Sequence, residues 1–188
     1  MVPKNRPRPQ EAEKRQIMAS LQSAINSLAP YASVFESKIA TLYHQIYDEN
    51  CHRIYSLAFW MTGNELVAEQ LSANTFLRAF AMLNAPTQDH IDRAFLAEVR
   101  ELLPVGSLTL KCTVSAQTPS VYGNIKRIHL EGAIVELPGT EKMIFLLHDV
   151  EGYDHSRIAR LLGTTEEESK TGLHNARIKM RELIAQMC

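Results

Sequence analysis

The sequence predicts an all-α protein built as two small helical domains joined by a flexible linker, and three observations predict it. Apolar residues recur at spacings of three and four through most of the chain, the period of a helix with one buried face. That period stops between residues 104 and 123, where the composition turns to Ser, Thr and Pro with Lys111 as the single charge. Near the C-terminus two helical patterns meet at a sharp glycine turn, the arrangement of a helix-turn-helix. The expected organisation is an N-terminal extension over 1–32, a first helical domain over 33–103, a linker over 104–125 and a second helical domain over 126–188.

Pro3, Pro7 and Pro9, with Lys4, Arg6 and Arg8 among them, read as disordered chain. A weak helix is expected from about Glu11 to Leu28, ended before Pro30. From about Ser33 to Met61, Ile39, Leu42 and Ile46 and then Ile54, Leu57, Ala58 and Met61 mark a helix, which Thr62-Gly63-Asn64 stops. A helix from about Glu65 to Leu83 places Leu66, Ala73, Leu77 and Phe80 on one face. Another, from about 90 to 103, carries Ile91, Phe95, Val99 and Leu102, and Pro104 and Gly106 end it. Leu108 to Val114 is a candidate short strand.

Twenty basic residues against 21 acidic ones leave a formal net charge of -1, which excludes a strongly basic nucleic-acid-coating protein and an acidic tail, though not a local basic face. No apolar run approaches the roughly 20 residues that span a bilayer, and the N-terminal charges have no apolar stretch behind them, so a cytoplasmic location is expected. Cys51, Cys112 and Cys188 are far apart and odd in number, against a disulfide framework. Seven histidines form no metal-ligand motif; His148 and His155 are separated by the turn at Gly152. With no carboxylate pair in a motif, no nucleophile elbow and no phosphate-binding glycine loop, neither an enzyme nor a cofactor is expected.

The C-terminal pattern is the most informative. Pro138 suits the first turn of a helix. Asp154 precedes a short helix with Ile158, Ala159, Leu161 and Leu162, and Gly163 supplies the turn. Thr165 and Glu168 have capping-box spacing. The last helix carries an apolar stripe, Leu173, Ala176, Met180, Leu183 and Met187. Opposite it run Lys170, His174, Arg177 and Arg181, a row able to meet phosphates and base edges. A helical hairpin with a solvated charged face has the same pattern.

The stretch from Leu137 to Leu183 resembles region 4, the promoter-binding domain of bacterial RNA polymerase sigma factors of the extracytoplasmic-function group. The resemblance is carried by Phe-Leu-Leu-x-Asp-x-Glu-Gly at Phe145 to Gly152, Ile-Ala-x-Leu-Leu-Gly at Ile158 to Gly163, and Leu-His-x-Ala-Arg at Leu173 to Arg177. The earlier stretch from Tyr47 to Phe80 resembles region 2 of the same group, through Arg-Ile-Tyr-x-Leu-Ala at Arg53 to Ala58, Thr62-Gly63, and Thr-Phe-Leu-Arg-Ala-Phe at Thr75 to Phe80. The resemblance implies a DNA-dependent transcription initiation factor without chemistry of its own. Its implied partners are RNA polymerase core and promoter DNA, with an anti-sigma factor as a further candidate. It implies DNA contacts by Thr165, Lys170, Thr171, His174, Arg177 and Arg181, and polymerase docking by Glu69, Gln70, Leu71 and Phe76.

The chain departs from the family pattern in three places. Val67, Gln70 and Asn74 stand where the family has acidic residues in its core-binding helix, and Glu69 alone stays acidic. The next helix has only Arg93 and Arg100 against Asp92, Glu98 and Glu101, a balance that releases few counterions from DNA. The last helix opens with Glu166, Glu167 and Glu168, suited to helix capping or to cytosine contact, and has Gly172 and Asn175 in place of larger basic residues. These departures keep a second reading open, a degenerate sigma-like protein that binds a protein partner without directing transcription.

Overall fold

The structure, a computed structural model, describes residues 38–81, 86–111 and 125–187 of the 188-residue chain. The expected N-terminal disorder and the helix over 11–28 lie outside the described residues. Among the described residues there are helices and no strand. Helix α1 covers 38–62, α2 Glu65–Phe80 and α3 Gln88–Leu102. The second set is α4 (Arg127–Val135), α5 (Gly139–Phe145) with a π-helical continuation over Leu146–Val150, α6 (His155–Leu162) and α7 (Glu166–Met187).

Helix α1 turns Ile54, Leu57, Ala58 and Met61 inward, as their spacing requires. Gly63, at φ +65, makes the left-handed turn that ends it. The Asn64 side chain then caps α2 by accepting from the Val67 amide at 3.2 Å. Helix α2 does not bury the face expected of it. Leu66 and Leu77 are 76% and 70% exposed, and the buried face is Ala68, Leu71, Thr75, Phe76 and Ala79. Both stripes have helical spacing, but Ala68 and Ala79 are small and let α3 approach closely. Helix α3 answers with Ile91, Ala94, Phe95, Leu96 and Val99.

One apolar core runs through both sets of helices. Ile54, Leu71 and Phe95 of the first belong to the same buried cluster as Met143, Ile144, Leu146 and Ile158 of the second. A smaller cluster, with Ala133, Ala176, Met180 and Ile184, fixes α4 to α7. Polar contacts cross the same boundary. The buried Lys142 ammonium donates to the Val135 carbonyl at 2.6 Å and to the Met61 carbonyl at 3.4 Å, and burial lowers its pKa. Arg100 donates to the Leu162 carbonyl at 2.7 Å.

The segment expected as a strand forms none over 108–111, and 112–114 lie outside the described residues. The reason is where its backbone hydrogen bonds go: the amides of Thr109 and Leu110 both donate to one side chain, Glu141, and not to a neighbouring strand.

The turn between α6 and α7 depends on Gly163, at φ +73, where a side-chain Cβ would meet nothing within 4 Å. Gly163→Ala should therefore destabilise the chain through backbone conformation alone, by about 1 kcal/mol. Urea unfolding of the two proteins measures this, and an unchanged midpoint would contradict it.

Candidate nucleic-acid interface

Asp154 caps α6, its carboxylate accepting from the Arg157 amide at 2.6 Å. Gly163 ends the helix in the left-handed conformation, and the capping box opens α7. The Thr165 hydroxyl accepts from the Glu168 amide at 3.1 Å, and the Glu168 carboxylate accepts from the Thr165 amide at 2.8 Å. The bond from the Thr165 amide first, and then the Thr165 hydroxyl donating to the same carboxylate at 3.0 Å, hold the Glu168 carboxyl below its usual range. Capping is thus the observed role of Glu168. The inner face of α7 buries Ser169, Gly172, Leu173, Ala176 and Met180 against the rest of the domain.

Thr165, Lys170, Thr171, His174, Arg177 and Arg181 are all exposed, and the last five lie on the outer face of α7. Two of the cations already have carboxylate partners. Lys170 meets Glu167 at 2.6 Å, one turn back. Arg177 forms a bidentate pair with Asp149 on the π-helical segment, at 2.6 and 3.0 Å. Burial pushes the Asp149 carboxyl up, but the bonds from Arg177 and His148 outweigh it and the net shift is downward. The cationic row is therefore presented with part of its charge neutralised locally.

The turn at Gly152 does not keep His148 and His155 apart. Their rings stack with centroids 4.6 Å apart, and His155 Nδ1 lies 2.9 Å from the Ser169 hydroxyl. Burial first, and then the neighbouring His148 and Lys170, lower the His155 pKa, against a smaller opposite pull from Glu166. Periodicity within one helix could not reveal this pair, because the two rings come from different elements.

Helix α3 turns its charged residues inward or onto one another. Arg93 pairs with Asp89 at 2.9 Å, and Arg100 is tied to the Leu162 carbonyl. Glu98 and Glu101 are taken by Arg78 of α2. Asp92, 4% exposed, is the centre of a cluster that joins the two helix sets. It accepts from Arg53 at 2.9 Å, from Arg157 at 2.8 Å and from the Tyr153 hydroxyl at 2.8 Å. That hydroxyl also accepts from Arg53 and Gln88, so its one donor and two lone pairs are all used. The Arg157 guanidinium lies over the Tyr153 ring, 3.8 Å from its centre. Burial and the bond to Asp92 push the Tyr153 hydroxyl up to about 12.

The four residues expected to dock polymerase divide into two pairs. Glu69 and Gln70 are exposed. Leu71 and Phe76 are 2% and 4% exposed and belong to the core. The exposed apolar residues of α2 are Leu66, Ala73 and Leu77. Their spacing of seven and four puts them on one side of the helix.

Comparison with known proteins agrees with this geometry. Residues 128–180 match the family described as Sigma-70, region 4. Among solved structures, the chain is similar to the sigma factor RpoE in its co-crystal structure with the anti-sigma factor NepR from Bartonella quintana. The TM-score is 0.57 at 15% identity, over 76% of this chain and 96% of that one. It also aligns with a chain of an RsbN–BldN complex at 18% identity, over 81% of this chain and 95% of that one, with a TM-score of 0.30. The first similarity shows a shared fold. The resemblance to sigma factors carried by the sequence motifs is thus met again in the family match and in the fold. No helix among the described residues is long and apolar enough to cross a membrane.

A histidine with a lowered folded pKa binds fewer protons folded than unfolded, so stability falls as pH drops below the ordinary histidine value of about 6.5 and through the folded pKa. His155→Phe should flatten that part of the stability profile. Denaturation midpoints between pH 7.5 and 5 test it, and identical slopes in parent and variant would contradict the assignment.

Proposed function

We propose that the chain acts as an RNA polymerase sigma factor of the extracytoplasmic-function type, reading promoter DNA with the outer face of α7. The observation that carries this reading is the exposed row Lys170, Thr171, His174, Arg177 and Arg181. It lies on the second helix of a helix-turn-helix, and all of it but Arg181 falls inside the stretch, 128–180, that matches sigma region 4. A helix so placed offers base-edge donors from its outer face and phosphate contacts along its length. The proposed role is non-catalytic: contacts to DNA position the polymerase, and the chemistry belongs to the polymerase. By analogy with the neighbour crystallised with NepR, an anti-sigma factor is a proposed partner.

Long-range attraction to DNA is weak, because Glu151 to Cys188 contains six basic and six acidic residues. Binding then depends on local contacts and on polymerase holding the domain beside the promoter, which raises its effective concentration. Helix α2 is the proposed docking element, through exposed Glu69, Gln70, Leu66 and Leu77, with Leu71 and Phe76 supporting it from the core. Few charges at that contact leave apolar burial as its main source of affinity, since rim charges act mostly on association rate.

Reconstituted holoenzyme binding to promoter fragments at two salt concentrations tests the reading. Arg177→Ala and Lys170→Ala should weaken binding. Asp149→Asn should release Arg177 and steepen the logarithmic salt dependence by about one unit. Unchanged affinity and salt slope in all three variants would favour the partner-binding alternative. Leu77→Asp should weaken polymerase pull-down while leaving the fold intact. Leu71→Asp should unfold the chain, because it buries a charge without a partner. Equal behaviour of the two variants would place the docking face elsewhere.

A further inference from the structure

The segment 104–111 follows α3 and has no regular structure, yet it is seated in a groove between α5 and α7. Glu141 of α5 is fully buried, and its Oε1 accepts from the consecutive amides of Thr109 and Leu110, both at 2.6 Å. Among the described residues these amides are its hydrogen-bond donors. Asn175 of α7, 5% exposed, donates to the Leu110 carbonyl at 2.9 Å. The Thr140 hydroxyl accepts from the Gly106 amide at 3.0 Å. Two buried acceptors, Glu141 Oε2 and Asn175 Oδ1, have no partner among the described residues.

Two glycines lie close against this segment, Gly172 also against Ile144 of α5. A Cβ on Gly172 would stand 2.7 Å from Leu108 Cδ2 and 2.5 Å from Ile144 Cδ1, and one on Gly139 would stand 2.9 Å from the Pro104 carbonyl oxygen. A buried carboxylate with no donor is strongly unfavourable. The groove therefore carries side chains that make sense only with an extended peptide in it. Gly172 and Asn175, unusual as DNA-facing residues, are explained as parts of this site.

We propose that the groove between α5 and α7 is a binding site for an extended peptide that offers two consecutive backbone amides and a leucine, with residues 104–111 of the same chain as its occupant. The docked strap fixes the end of α3 to the start of α5. Leu103 alone separates Leu102 from the seated Pro104, so Leu102 stays within about 7 Å of that anchor. Release of the strap removes this tether and leaves the shared apolar core and the Asp92 cluster to hold the two helix sets together. The site stands on side-chain geometry alone and does not rest on the sigma-factor reading.

Amide hydrogen exchange on the full chain, without DNA or polymerase, tests this. In the parent, Thr109 and Leu110 should exchange slowly although they lie outside any helix. Leu108→Asp puts a charge against Ile144 and Gly172 and should release the strap. Protection at Thr109 and Leu110 then drops by about tenfold or more while α5 and α7 keep theirs. If α7 also loses protection, Gly106→Pro decides the matter, since it removes the amide held by Thr140, forbids the φ of +156 that Gly106 adopts, and leaves every groove residue in place. Its expected result is the same loss confined to the strap. Exchange at Thr109 and Leu110 in the parent as fast as in an unstructured peptide would overturn the proposal. So would protection in the decisive variant equal to the parent's.

Discussion

The buried carboxylate of Asp92 is the interaction on which the arrangement of the molecule depends. A charge this deep requires donors on every side, and they come from three elements: Arg53 from α1, Arg157 from α6, and the hydroxyl of Tyr153 just before α6. Meeting that requirement forces the helix-turn-helix against α3. The contact then hides one face of α3 and leaves the outer face of α7 free. The side of the second helix set that can meet DNA is decided partly by a carboxylate in the first.

The same packing explains the charge economy of the chain. The cations of α3 are tied to Asp89 and to the Leu162 carbonyl, and its acids are met by Arg53, Arg157 and Arg78. Of the acids of α3, which look ill-suited to a nucleic-acid surface, Asp92 and Glu98 are buried, while Asp89 is half-buried and Glu101 exposed, both of them paired. On α7 the cations face outward, but Asp149 and Glu167 restrain two of them. A domain so balanced carries little net charge to attract DNA at long range.

Much of this was legible in the sequence. The glycine stops at Gly63 and Gly163, the capping box at Thr165 and Glu168, and the exposed row of α7 follow from local rules, because each depends on residues a few positions apart. The buried face of α2 was not legible, since Leu66–Leu77 and Ala68–Ala79 have the same period and only the approach of α3 chooses between them. The Asp92 cluster joins residues up to 100 positions apart, and Gly172 reads in the sequence only as a missing basic residue, while the side chains that crowd it, Ile144 and Leu108, come from distant parts of the chain. Both are tertiary facts with no local signature.

The most direct test of the account is whether the two helix sets unfold as one. Trp60, the single tryptophan, reports on the first set, and far-ultraviolet circular dichroism reports on all the helices. For the parent the two urea transitions should coincide, as for a single cooperative unit. Asp92→Ala leaves Arg53 and Arg157 facing a buried gap and should lower stability by about 3–5 kcal/mol. Its two transitions should then separate. Coincident transitions in Asp92→Ala with the parent's midpoint would contradict the claim that this carboxylate holds the molecule together.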